Sequence, residues 1–312
     1  MEPLVSCIIP TYNRAHIVGR AIRSVLSQTY KNIEVIVVDD GSQDNTQEVV
    51  LSIKDERVRY IRLHRNFGAA FARNIGIANA RGEFVAFLDS DDYFLPEKIE
   101  KQVELMLKDE SVGVCYTEVY FEIDNGELVH KESPRVRGKI YEVFLTTPKI
   151  IALQTFLVRK QIFEKIIFDE SMKVGSDARF MIELSKVADF DFIPLPLCVI
   201  DRRKQEISLW RGQVEVGILI KHKIESFEER KSDIFKVAGS SYVSRLYNRL
   251  AWTAYKYGNK SLAAKLLFKS SFETRSLKDF LKGISVVFGL YGKYMMKKYG
   301  EKKLEDFSLI QI

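Results

Sequence analysis

Hydrophobic and polar positions follow a repeating rhythm through the first hundred residues: short β-branched runs alternate with segments whose apolar residues recur at three-and-four spacing. Residues 5–9, 33–38, 58–63 and 84–88 are predicted as strands, bounded by turn signals or polar residues. Between them, 15–27, 44–53 and 68–80 are predicted as helices, with Asp44 as the N-cap of the second. A β-α-β-α-β-α-β series implies an open, mostly parallel sheet with helices on both faces. Such sheets bind ligands beyond the carboxyl ends of their strands. The residues that follow each strand are therefore the ones to inspect.

Those residues are Pro10-Thr11-Tyr12-Asn13-Arg14, Asp39-Asp40-Gly41-Ser42, His64-Arg65-Asn66 and Asp89-Ser90-Asp91-Asp92. The first turn has a proline and an aromatic where a dinucleotide fold needs glycines to admit a pyrophosphate, and no G-x-x-x-x-G-K-[ST] occurs. Rossmann dehydrogenase and P-loop chemistry are disfavoured. The strand ends instead suit a base, a ribose and a diphosphate: Tyr12 can stack on a base, Asp40 can accept from a base N–H, and Arg73 can contact phosphate. The acidic cluster at 89–92 would repel a diphosphate unless Mg2+ or Mn2+ neutralised it, and hard carboxylate oxygens suit those ions.

Five ordered segments carry a family resemblance. They are Val5-Ser6-Cys7-Ile8-Ile9-Pro10-Thr11-Tyr12-Asn13-Arg14, Ser24-Val25-Leu26-Ser27-Gln28-Thr29-Tyr30, Val37-Val38-Asp39-Asp40-Gly41-Ser42, Arg65-Asn66-Phe67-Gly68 with Ala72-Arg73-Asn74, and Phe87-Leu88-Asp89-Ser90-Asp91-Asp92 with Pro96. Together they resemble the family 2 glycosyltransferases of GT-A fold. The resemblance spans residues 4 to 208. It implies that Pro10, Thr11, Tyr12, Asp40 and Arg73 line a nucleotide site, with Asn13, Arg14 and Ser90 in the same nucleotide-sugar-binding segments. Asp89 would meet the ribose, and Asp91 would bind the metal.

The family also has an acidic pair before a helix, whose second member is the catalytic base, downstream of a phrase similar to Phe168-Asp169-Glu170. Here the usual Glu-Asp reads Ser176-Asp177, so Asp177 holds the base position and its partner is lost. Asp177 also suits the cap or first turn of a helix through Lys186. Members often carry a histidine near the diphosphate after the apolar stretch at 192–200. This chain offers Arg202, Arg203 and Lys204 instead. Its four histidines, His16, His64, His130 and His222, have no metal-ligand spacing and are taken as structural or exposed.

Residues 111–200 mix an apolar run at 112–123, an Asp124-Asn125-Gly126 turn typical of hairpins, a helix near 140–145 and a strand at 155–158. The domain reading is a catalytic domain over 1–210, its nucleotide-binding half at 1–110 and acceptor half at 111–210. A helical, basic region follows at 211–312. In it, 243–257 and 261–272 form a helical hairpin around Gly258-Asn259, like one tetratricopeptide unit and too little for a solenoid. We expect it to pack as an appendage on the catalytic domain.

Charge sharpens that division. The net charge of +6 comes from the tail: residues 212–312 hold 19 Lys and Arg against 10 Asp and Glu, whereas residues 1–211 hold 29 against 32. A nucleic-acid binder would carry its positive surface through the domain with the chemistry, so no nucleic-acid partner is expected. Cys7, Cys115 and Cys198 follow no metal or redox spacing and read as buried small hydrophobes in a reducing, cytoplasmic protein. Val5 to Ile9 is too short for a signal core and Pro10 ends it, so no secretory signal is expected. Between Lys282 and Lys293 the uncharged stretch is too short to span a bilayer, which takes about 20 residues. Yet Phe280, Ile284, Val287, Phe288, Tyr291, Tyr294 and Met295 follow helical spacing beside Lys282, Lys293, Lys297, Lys298, Lys302 and Lys303. That pattern suits peripheral attachment to the inner face of a membrane, or packing of the same stripe on protein.

The resulting expectation is an α/β, GT-A-type enzyme using Mn2+ or Mg2+ to move a sugar, by inversion, from a nucleotide-sugar donor to a glycan or lipid-linked acceptor. UDP-sugar is the first donor and GDP-sugar the second. A sugar nucleotidyltransferase would open with a Gly-rich, basic loop in place of residues 10–14. A non-catalytic nucleotide-sugar-binding protein would be separated from the enzyme by a turnover assay.

Overall fold

The structure is a computed structural model, and it describes residues 2–146, 152–172, 175–203, 216–256 and 259–287. Two compact units divide the chain. The first comprises residues 1–144 and 149–213, the second 145–148 and 214–312.

The first unit is a nine-stranded sheet with helices on both faces. Strands β1 (Val5–Thr11), β2 (Ile33–Asp39), β3 (Val58–Arg62) and β4 (Phe84–Phe87) are parallel, in the order β3-β2-β1-β4. Helices α1 (Val18–Leu26), α2 (Thr46–Ser52) and α3 (Ala69–Asn79) connect them. The sheet continues through β8 (Leu157–Arg159), β6 (Val112–Glu122), β9 (Asp189–Asp201) and β5 (Tyr93–Phe94), while β7 (Leu128–Lys131) forms a hairpin with β6. β8 runs against both β4 and β6, and β6 pairs in parallel with β9. The remaining elements are α4 (Lys98–Lys108), α5 (Tyr141–Thr146), α6 (Ser176–Val187) and short 3-10 turns at Leu153–Thr155 and Lys160–Glu164.

Every residue of β1 and β2 is buried, as expected for central parallel strands covered on both faces. Alternation sorts them: Cys7, Ile9, Val35 and Val37 pack with α1 and α4, while Ile8, Ile36 and Val38 pack with α3 on the other side. Gly76 lets α3 close on β1, since a Cβ there would lie 2.3 Å from Ile8 Cγ2. The Asn125-Gly126 turn closes β6–β7 with Gly126 at φ 78°. Cys7, Cys115 and Cys198 are unpaired and buried, and burial pushes the Cys7 and Cys115 thiols up to about 12.

Three sequence expectations change. Pro10 does not end β1, which runs on to Thr11 opposite Asp39. Ile8 O accepts from Leu88 N, so Pro10, two residues on, faces the same side, where β4 has already ended; its missing N–H costs no ladder bond. Asp44 lies one residue ahead of the N-cap position, Asn45, yet its carboxylate accepts from Thr46 N at 3.0 Å. Lastly, α4 and β5, which follow the acidic cluster, were not among the predicted elements.

The second unit is helical. Helix α7 (Val216–Lys256) is interrupted at Gly239, where φ is 73°. It is followed by α8 (Lys260–Thr274) and α9 (Leu277–Val287). Asn259 caps α8 by accepting from Leu262 N, and buried Asp279 joins the helices through Ser270, Asn248 and Lys282. Lys204 and the tail stripe from Phe288 onward lie outside the described residues.

Candidate functional site

The expected site residues collect at the carboxyl ends of β1, β2 and β4. The loop after β1 is zipped to the loop after β2: Asn13 N donates to Ser42 Oγ at 2.8 Å, Asn13 Oδ1 accepts from Gln43 N at 2.8 Å, and Arg14 N donates to Thr46 Oγ1 at 3.0 Å. Asn13 takes φ 52°, a conformation asparagine tolerates better than most side chains. Its amide is thus occupied in shaping the loop. Gly41 has φ 78° and lies so close to Arg65 that a Cβ would come within 2.6 Å of its backbone. Tyr12 is half-buried, and Thr11 Oγ1 is buried without a partner among the described residues.

Asp40 is buried and accepts from the backbone N–H groups of Phe67 and Gly68, at 2.7 and 2.8 Å. Burial raises its carboxyl above the ordinary range against those two bonds, and the neighbouring Asp39 adds to the rise. One lone pair of each oxygen is therefore committed to the loop that opens α3.

Arg73 on α3 is buried and donates from Nη2 to Asp89 Oδ1 at 2.7 Å. Burial opposes its charge, but Asp89, Asp177 and Asp91 more than restore it, raising its pKa. Its Nε has no partner among the described residues. Next to it, Asn74 Nδ2 holds Phe168 O at 2.9 Å and Asn74 Oδ1 accepts from Phe168 N at 2.9 Å. Phe168 stacks on Phe180 at 4.0 Å, which seats α6 beside α3. Asp177 sits in the first turn of α6, behind Gly175 at the cap position with φ 77°. Its half-buried carboxylate forms no hydrogen bond with a described residue, so it does not act as the cap.

Within the acidic turn the carboxylates differ. Asp89 is held by Arg73 and by Gln154 Nε2, the latter at 2.6 Å. Asp92 is buried, accepts from Gln154 Nε2 at 2.8 Å and from Asp201 N at 2.9 Å, and is raised well above its ordinary pKa by burial and by Asp91 and Asp89. Asp91 keeps its side chain 26% exposed, with Arg14 Nη2 at 3.7 Å. Ser90 is buried. Among the described residues no three His, Cys, Asp or Glu side chains converge as a complete metal cage. The partly exposed Asp91 carboxylate is of the kind that fits an Mg2+ or Mn2+ ion, which takes one or two carboxylates and fills its shell with phosphate and water.

Two contributors escaped the sequence reading. Gln154 lies in an apolar run on the Leu153–Thr155 turn, itself braced by Gln102 Nε2 donating to Thr155 O at 2.8 Å. Arg20 on α1 donates to Asp91 O at 2.5 Å, Asp201 at 2.9 Å and Glu122 at 3.1 Å, pinning the turn from behind. Of the cations expected near a diphosphate, Arg203 is bound to Asp201 and Arg202 lies over the Phe121 ring at 5.0 Å.

A model of "Glycosyl transferase family 2" matches residues 6–167, more than half of the chain and all of the elements of the first unit except α6 and β9. The chain belongs to that family. An uncharacterized glycosyltransferase of Rickettsia conorii, RC0461, is 36% identical over 184 residues, covering 58% of this chain and 30% of its own length. A UDP-Glc:alpha-D-GlcNAc-diphosphoundecaprenol beta-1,3-glucosyltransferase of Escherichia coli, WfgD, is 44% identical over 128 residues, 41% of this chain and 50% of its own. The chain thus spans half or less of either relative. Its fold is that of the mannosyltransferase PcManGT from Pyrobaculum calidifontis, solved with GDP-Man and Mn2+, at TM-score 0.60 and 19% identity over 99% of this chain and 87% of that one. The fold is GT-A.

Proposed function

We propose that this family member is a metal-dependent inverting glycosyltransferase, moving a sugar from a nucleoside-diphosphate sugar to an acceptor hydroxyl in polysaccharide, glycan or glycolipid synthesis. The carrying observation is Arg73, one buried cation in the field of Asp89, Asp91 and Asp177. Bonded to Asp89 after β4 and within the electrostatic reach of Asp177 on α6, it supports a reading in which donor and acceptor groups lie close together.

In this reading Tyr12 and Asp40 receive the base, Thr11 Oγ1 and Asp89 the ribose side, and Arg73 offsets diphosphate charge. Asp91 would hold Mg2+ or Mn2+, which supplies charge stabilisation to the departing nucleoside diphosphate. Asp177 accepts the proton of the acceptor hydroxyl as its oxygen attacks the anomeric carbon. A carboxylate without a competing hydrogen bond is suited to that task. Inversion follows from attack opposite the leaving group in a single displacement.

WfgD, by its name, uses UDP-glucose and a diphosphoundecaprenol-linked acceptor, which supports a UDP-sugar donor and a lipid-linked acceptor here, with GDP-sugar second. The unpaired thiols suit a cytoplasmic site of action. The test is turnover of UDP-glucose, UDP-GlcNAc and GDP-mannose on a lipid-diphosphate-linked sugar, with and without Mn2+. Transfer that requires the cation and inverts the anomeric centre is expected. Tight nucleotide binding with no transfer or hydrolysis of any donor would overturn it in favour of a binding protein.

A further inference from the structure

The corner between α8 and α9 exposes large apolar side chains that its own helices leave uncovered. Phe272 is 88% exposed, Leu281 57% and Phe280 45%. Phe280 rests on Phe268, ring centres 5.6 Å apart, and Gly283 brings α9 against the same ring. Arg275 turns the corner at φ 53°, and both Arg275 and Lys278 are exposed. Phe272 is the most exposed large hydrophobic side chain among the described residues, and contiguous exposed apolar surface marks interaction sites.

We propose that this corner docks on the anionic face of a lipid bilayer, with Phe272, Phe280 and Leu281 entering the interface and Arg275 and Lys278 meeting the headgroups. Charge selects that occupant. The acids near the corner are neutralised within the unit: Glu273 pairs with Lys231 and Tyr247, each at 2.8 Å, and buried Asp279 with Lys282 at 2.7 Å. What faces outward is positive, within a region of net charge +9 over residues 212–312. Apolar anchors ringed by cations are the requirements of interfacial attachment, and attraction to anionic lipid falls off with salt. Attachment is lateral, since among the described residues no helix is long and apolar enough to cross a membrane. The inference deepens the lipid-linked acceptor reading by putting the chain on the surface where such an acceptor resides.

Co-sedimentation of the full chain with vesicles of phosphatidylglycerol and phosphatidylcholine, against phosphatidylcholine alone, tests it without donor or acceptor. Its failure is therefore distinct from a failure of the enzymatic reading. Binding to the anionic vesicles at low salt is expected, weakened at high salt and at least about tenfold in Phe272→Asp. Arg275→Gln with Lys278→Gln should remove much of the salt-dependent part. Because Phe272 is almost wholly exposed, Phe272→Asp should melt like wild type. Wild-type failure to sediment, or unchanged sedimentation of Phe272→Asp, overturns the proposal. So does an oligomer that Phe272→Asp dissolves without any vesicle binding, which would assign the corner to a second copy.

Discussion

The side-chain amide of Gln154 donates to Asp89 Oδ2 at 2.6 Å, and the same nitrogen reaches Asp92 Oδ2 at 2.8 Å. One neutral donor thereby holds two carboxylates of the acidic turn in fixed orientation, on either side of Asp91 in the sequence. Gln154→Leu removes the donor at similar bulk and leaves two facing acids unbridged. Donor KM should rise and kcat/KM fall by about tenfold or more, at about 1.4 kcal/mol per tenfold. Gln154→Asn, with a shorter reach, should recover little. Steady-state kinetics with varied nucleotide sugar measures both.

Asp91 is partly exposed in that turn, with Arg14 Nη2 3.7 Å from its carboxylate. Asp91→Asn keeps its size and removes the negative oxygen, so transfer should collapse and nucleotide binding should lose its dependence on Mn2+. Chelation of wild type should reproduce the loss, and readdition of metal should restore only wild type. The backbone bonds that hold the turn, Arg20 to Asp91 O and Asp92 N to Asp89 O, do not use the Asp91 carboxylate. Thermal unfolding without ligand should therefore barely move. Full activity of Asp91→Asn in metal-free buffer would remove Asp91 from the site.

Asp177→Asn separates proton transfer from structure. The wild-type carboxylate makes no hydrogen bond to a described residue, so amide replacement costs the helix little. Turnover should fall by about a hundredfold or more while donor affinity, by isothermal calorimetry, stays within a few-fold. The inverted configuration of the product, read by NMR, checks the single displacement separately. Persistence of near wild-type turnover would mean that another acid takes the proton.

The legible parts of this molecule were those encoded by local pattern. β1 and β2 are apolar on both faces, and Asp39-Asp40-Gly41-Ser42 and the acidic run at 89–92 stand directly after strands. Periodicity carries no information about which strands pair. The order β8-β6-β9-β5, which completes the sheet beyond β4, could not be read from it. Gln154 was hidden for the same reason: an amide in an apolar run announces neither Asp89 nor Asp92, both more than sixty residues away in sequence. Arg20 is a polar residue within α1, and nothing in its local pattern marks it. Only the fold shows that it reaches the carbonyl of Asp91.

Lys98 provides a stability test apart from the chemistry. Its side chain is fully buried, its Nζ donates to Gln102 Oε1 at 2.7 Å and lies 4.1 Å from the centre of the Phe94 ring. Burial lowers its pKa to about 8, against the partial support of nearby thiol groups. The unfolded chain holds that proton up to about pH 10.4. Between roughly pH 8 and pH 10 the unfolded state therefore binds more protons than the folded one, and stability from this group rises with pH. Below about pH 8 both states are protonated and its cost is constant, on the order of 3 kcal/mol. Lys98→Met keeps the length, removes the charge and leaves Gln102 Oε1 without this donor, which offsets part of the gain. Urea unfolding from pH 7 to 10 should show the wild type gaining stability relative to Lys98→Met as pH rises. Parallel curves for the two proteins would show that Lys98 stays protonated in the folded state across that range, with a pKa close to that of the unfolded chain.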